Sequence, residues 1–126
     1  MASEKDFHIG LLYLVHLLIN ADDMINEKEQ AALKKIIEKE KIPAAVVEDF
    51  QRDLKRKKTK DIYHQGIDLI SACTDEQKLR AFVHLLKLSE VDGSVHVKEV
   101  RLLLYSIKKA SIEFDDVVAE ANKLNY

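Results

Sequence analysis

The sequence has few of the residues that interrupt helices and few that cross-link a chain. Its 126 residues include 3 glycines, 1 proline, 1 cysteine and no tryptophan. So few glycines and prolines argue against a turn-rich β-sheet protein. The single cysteine, Cys73, excludes a disulfide within the chain. Because a helical core with one thiol suits a reducing environment, we expect a cytoplasmic protein.

Long apolar runs and an excess of positive charge are also missing. The apolar stretch from Ile9 to Ile19 is shorter than the roughly 20 residues that span a bilayer. Acidic Glu4 and Asp6 precede it, unlike the basic start of a signal peptide. We therefore predict no stable membrane insertion. Lys and Arg number 20 against 22 Asp and Glu, a net charge of −2. Without a general basic field, we expect no nucleic-acid binding.

The abundant residues favour helices in a single domain. Leu, Ile, Lys, Glu and Ala dominate the composition, and all are compatible with helix formation. The length suits one domain spanning residues 1–126. Capping residues and the spacing of apolar residues predict an all-α bundle of about seven helices. The predicted helices begin near Lys5, after Asn26, near Pro43, after Thr59, after Thr74, near Val97 and near Glu113.

Two of these predicted helices stand out by their apolar character. The first, from Lys5 to Asn20, is apolar on almost every side, and the interior of the fifth, Ala81 to Leu88, is nearly as apolar. A helix that is apolar all round is a buried helix, so we place the first at the centre of the bundle. The sixth, predicted from about Val97 to Ala110, is amphipathic and should bury only one face.

A segment of the chain recurs 70 residues later: residues 18–29 overlie residues 88–99. Each copy consists of an apolar helix, a short acidic loop and an amphipathic helix. The repeat predicts a pseudo-twofold arrangement of two helical hairpins, in which both loops can share one end of the bundle. The matched positions are Asp22 with Asp92, Ile25 with Val95, and Glu29 with Glu99.

The repeated carboxylates are the candidate functional residues. In each copy an Asp follows one helix and a Glu lies seven residues on, in the first turn of the next helix. If the loops meet, four carboxylates converge, and a hard cation such as Ca²⁺ or Mg²⁺ relieves their repulsion. The same residues also suit helix capping, which needs no metal. Neither loop is a complete EF-hand, because Leu18 and Leu88 stand at the first ligand position.

At these residues the sequence resembles a known family. An apolar helix ending in Ala or Val, an acidic turn and a Glu in the next helix, present twice, are similar to the TerB-like domain of tellurite-resistance proteins and DjlA-type co-chaperones. The second copy, with Asp92-Gly93, matches better than the first, where Asp23-Met24 replaces the glycine-containing turn. The resemblance runs roughly from Phe7 to the final helix and implies an all-α bundle of about seven helices. It also implies metal binding at Asp22, Glu29, Asp92 and Glu99.

No residue pattern in the sequence indicates catalysis. The five histidines lack the His-Glu-x-x-His spacing of a zinc protease, and no serine or cysteine lies in a nucleophile elbow. We expect His16 and His84, on the two most apolar helices, to be partly buried and hydrogen-bonded. The basic run from Arg52 to Lys60 suits a solvated helix end, while contact with phosphate or an acidic partner stays an alternative.

Together these features predict a cytoplasmic, non-enzymatic, TerB-like domain in stress or tellurite resistance. We expect it to bind Ca²⁺ or Mg²⁺ through the duplicated acidic loops and to present a surface to a protein partner or to a second copy of itself. The alternative is a metal-free interaction or assembly module in which the acidic residues only cap helices.

Overall fold

The computed structural model describes residues 3–19, 27–91, 96–107 and 112–123, without the side chains of residues 19, 28, 29, 32 and 91. Within these ranges the chain forms seven α-helices and no β-strand, which confirms the predicted all-α bundle. The helices are α1 (Glu4–Ile19), α2 (Glu27–Glu40), α3 (Ala44–Arg56), α4 (Thr59–Ser71), α5 (Asp75–Val91), α6 (Val97–Ser106) and α7 (Phe114–Ala121).

Capping boxes define the starts of two long helices. At α5 the Gln77 N–H donates to the Thr74 hydroxyl at 3.1 Å, and the Thr74 N–H donates to the Gln77 side chain at 3.0 Å. The sequence predicts this box. A second box, between Ser3 and Asp6, starts α1. Each box satisfies donors that the first turn of a helix leaves free.

Two predicted boundaries are wrong. Thr59 is the first residue of α4 and not its cap, because the carbonyl of Lys58 already accepts the first helical hydrogen bonds. The sixth helix ends at Ser106 and not at Ala110, because Ile107 takes an extended conformation. That conformation keeps the Ile107 side chain in the core, where it is 6% exposed.

Helix α1 lies at the centre of the bundle, as its apolar character predicts. It packs against α2, α3, α4 and α5. The largest apolar side chains along it are fully buried. They include Phe7, Leu11, Leu12, Leu14 and Val15, each with no exposed surface.

Small residues let α1 and α4 approach closely in antiparallel fashion. A Cβ at Gly10 would lie 2.9 Å from the Ile70 side chain and 3.1 Å from the Cβ of Leu69. One turn later on α1, Leu14 faces Gly66 of α4. The backbones therefore touch where a larger residue would hold them apart.

Replacing Gly10 by Ala should destabilise the protein by about 1 to 3 kcal/mol, because the Cβ of Leu69 is fixed to the backbone and cannot move aside. Gly→Ala inside a helix otherwise stabilises it. Urea denaturation measures the change, and Gln51→Ala on the exposed face of α3 is the control. A Gly10→Ala protein as stable as the wild type would contradict the close contact.

A left-handed residue ends α2. Lys41 has a φ of 54°, and the N–H of Ile42 donates to the carbonyl of Ile37 at 3.1 Å. This is the hydrogen bond of a Schellman motif, in which glycine usually takes the left-handed position. The turn buries Ile42 and makes Glu40 the last residue of α2.

Replacing Lys41 by Gly should stabilise the protein by about 0.5 to 1 kcal/mol, because glycine adopts a positive φ without steric cost. The matched control is Lys39→Gly, two residues earlier in the regular part of α2, which should destabilise by a similar amount. Thermal and urea unfolding measure both variants. If Lys41→Gly destabilised the protein as Lys39→Gly does, that result would contradict the left-handed conformation of Lys41.

Helices α1 and α5 run in the same direction. In their first turns, the Gln77 amide donates to the Glu4 carboxylate at 3.4 Å. Further along, one turn on in α1 and two turns on in α5, His8 and His84 both lie at Glu40, the last residue of α2. Helix α2 therefore returns antiparallel to α1.

In the part of the chain that the structure describes, no helix combines the length and the apolar character needed to cross a bilayer.

Candidate functional site

The four predicted metal ligands are only partly within the described chain. Asp22 and Asp92 lie outside it, and for Glu29 the backbone alone is described. Glu99 is exposed. Glu29 and Glu99 are each the third residue of their helix, α2 and α6, as the repeat predicts. The convergence of the four carboxylates stays a prediction.

A polar cluster of five residues lies at the end of the bundle where α1 and α5 begin and α2 ends. None of these residues was predicted as a ligand. The polar cluster consists of Glu4, His8, Glu40, Arg80 and His84. The side chains of both histidines are 5% exposed and that of Glu40 is 7% exposed. The Glu4 side chain, by contrast, is 58% exposed.

Glu40 is the centre of the polar cluster. One of its carboxylate oxygens pairs with Arg80, and the other lies 2.6 Å from Nε2 of His84. Burial alone would raise the pKa of Glu40, but the hydrogen bonds with His84 and Arg80 and their charges outweigh it and lower the pKa to about 2. The guanidinium of Arg80 also lies 3.9 Å from Glu4, at the solvent edge. Glu40 is therefore ionised, and Arg80 and His84 fix the position of its carboxylate.

A cleft of about 380 Å³ opens beside the polar cluster. Glu40, Arg80 and His84 line it together with exposed Glu76 of α5 and Glu120 of α7. The cluster is thus reached from solvent along the cleft as well as past Glu4.

In metal-free protein, lowering the pH should remove the stability that Glu40 contributes. Its folded pKa is below the ordinary 4.5, so the contribution is complete above pH 4.5 and is lost as the pH falls toward 2. The loss should amount to roughly 1 to 3 kcal/mol. Glu40→Gln should flatten the fall in unfolding free energy over this range, measured by urea denaturation.

The control for that measurement is Glu38→Gln, an exposed carboxylate of the same helix. It should follow the wild-type pH dependence. If Glu38→Gln and Glu40→Gln give the same slope, the buried ion pairs do not set the acid stability.

The basic run from Arg52 to Lys60, which covers the end of α3 and the start of α4, is partly engaged within the fold. Nζ of Lys57 donates to the Tyr13 hydroxyl at 3.1 Å and to the Gln65 side chain. The Tyr13 hydroxyl in turn donates to Asp53 at 2.5 Å. Burial and then the Asp53 carboxylate raise the pKa of Tyr13. These contacts tie α3 to α1 and α4 and favour the interpretation of this run as a helix end over a phosphate surface.

Both histidines predicted to be buried are buried. His16 is 2% exposed and packs edge-on against Phe50. His84 is 4% exposed and bonds to Glu40. The sequence gives no sign of that bond, because 44 residues separate its partners. The one local signal for the polar cluster was the spacing of Glu4 and His8, which places them on one face of α1.

Comparison with known families supplies an independent assignment. A family model described as tellurite resistance protein TerB matches residues 8–120. The match includes both copies of the repeat and begins after Glu4. In the same comparisons, no curated protein and no solved structure matched the chain.

Proposed function

This chain belongs to the TerB family, and we propose that it is a cytoplasmic, non-enzymatic domain that binds a divalent cation in tellurite resistance or a related stress response. The proposed cation is Ca²⁺ or Mg²⁺, because an all-carboxylate set favours hard ions. The proposed ligands are Asp22, Glu29, Asp92 and Glu99.

The parallel course of α1 and α5 carries this proposal. The two helices start side by side and each extends about 20 Å from the contacts of Glu4 with α5. Each acidic loop of the repeat follows one of these helices. Two helices that point the same way end on the same side of the bundle, as a shared site requires.

The position of Glu99 supports a cation over a cap. A capping Glu at this third position would accept the N–H of His96. Among the residues that the structure describes, the exposed Glu99 side chain has no hydrogen-bonding or ion-pair partner. Within the described residues, its carboxylate therefore makes no capping-box hydrogen bond.

Exposed apolar side chains on α6 support the second part of the proposal, a protein partner or a second copy of the chain. Val97, Leu102 and Tyr105 are 50%, 56% and 69% exposed. The hydroxyl of Tyr63 of α4 donates to Ser106 at 3.4 Å, next to Tyr105 in the sequence. Grouped apolar residues of this kind are a feature of interaction surfaces.

Millimolar Ca²⁺ should release or absorb heat on binding and raise the melting temperature. At ten times the dissociation constant the stabilisation is about 1.4 kcal/mol. Asp92→Asn with Glu99→Gln should remove both effects, as measured by calorimetry and thermal unfolding.

The matched control is Glu48→Gln with Asp61→Asn. It removes the same two charges from exposed positions on α3 and α4 and should leave Ca²⁺ binding intact. Absence of heat and of any melting shift in the wild type would favour the metal-free interaction module.

A further inference from the structure

A second set of metal-ligating side chains lies at the opposite end of α1 from the acidic loops. Glu4 and His8 are one turn apart on α1, and Glu40 reaches them from the end of α2. One ligand atom from each of these three side chains lies within 4.8 Å of the others. The set combines an imidazole with two carboxylates, unlike the all-oxygen set proposed for the loops.

His8 supplies an independent observation that points to a ligand. Its side chain is 5% exposed. Within the described ranges, its Nε2 is the one buried side-chain nitrogen or oxygen without a hydrogen-bonding partner. The nearby Glu4 Oε1, at 3.4 Å, does not meet it in hydrogen-bonding geometry. A buried polar atom left without a partner costs about 1 to 3 kcal/mol, and a metal ion would satisfy it.

The surroundings hold one ligand in place and leave another free to adjust. Arg80 and His84 fix the Glu40 carboxylate, whose oxygens keep lone pairs for a further partner. Glu4 is 58% exposed and can rotate toward an ion.

We propose that Glu4, His8 and Glu40 bind a divalent transition-metal ion, with Zn²⁺ the best fit and water completing the coordination. Zinc accepts imidazole nitrogen and carboxylate oxygen at about 2.0 to 2.2 Å. Sites of mixed nitrogen and oxygen select such ions over Ca²⁺ and Mg²⁺. A hydrogen bond from a neighbouring residue to a ligating carboxylate, as His84 makes to Glu40, orients the ligand for the metal.

The bound ion would join the start of α1 to the end of α2. The family match begins at residue 8, so Glu4 lies outside it. His8 and Glu40 lie within the match, and the site shares no residue with the acidic loops.

The test is calorimetric titration of the metal-stripped full chain with Zn²⁺, together with the visible spectrum of bound Co²⁺. We expect one Zn²⁺ ion to bind each chain with high affinity. The visible spectrum of bound Co²⁺ should show nitrogen among its ligands. Glu4→Gln alters an exposed side chain and should leave the fold intact, as circular dichroism will show. It should weaken Zn²⁺ binding by about tenfold or more, and His8→Gln should also remove the Co²⁺ spectrum.

Two controls separate this site from other surface groups. Glu76→Gln removes an exposed carboxylate of the same cleft, and His64→Gln removes an exposed histidine of α4. Both should bind Zn²⁺ like the wild type. Asp92→Asn with Glu99→Gln should also keep Zn²⁺ binding, which distinguishes this site from the proposed loop site.

Absence of tight Zn²⁺ binding in the wild type would overturn the proposal and leave the polar cluster as an ion-pair network. Unchanged affinity in Glu4→Gln would overturn it as well. If His8→Gln fails to fold, the Glu4→Gln affinity and the wild-type Co²⁺ spectrum decide.

Discussion

The burial of α1 from Phe7 onward is the constraint on which the rest of the structure depends. A helix that is apolar on every side can be stable in water only when other helices surround it. Helices α2, α3, α4 and α5 provide that cover, and Gly10 lets α4 come into direct backbone contact. The order of the helices around α1 follows from the need to cover each of its faces.

The central helix also determines where polar chemistry can occur. Most of α1 offers only apolar side chains; besides the Tyr13 hydroxyl, which bonds to Asp53, its polar groups lie near its ends. At its start, Glu4 and His8 meet Glu40 because the left-handed turn at Lys41 ends α2 at that level. Arg80 reaches the same point from α5 and packs over the ring of Phe7. The polar cluster is therefore a product of helix packing around the core and not of any single segment.

Whether a feature arises within one segment or from packing between distant segments explains which features the sequence could predict. The capping box of Thr74 and Gln77 and the buried face of α6 depend on residues within two turns of each other, and both are confirmed. The pairing of Glu40 with Arg80 and His84 joins positions 40 and 44 residues apart, and a single sequence carries no trace of it. In the sequence, the acidic site rests on the repeat alone, because a shared position in two helices does not fix the distance between them.

Under both proposals, the hairpin of α1 and α2 carries a cation at each end. Asp22 belongs to the connection and Glu29 to the first turn of α2, whereas Glu4, His8 and Glu40 belong to the open end. Either ion binds only when the two helices are packed together, so each stabilises the same folded hairpin. While the hairpin stays packed, neither ion needs to change the affinity for the other, because ligands are coupled only through a change of state. Cooperation between Ca²⁺ and Zn²⁺ would therefore require a hairpin that opens in the metal-free protein.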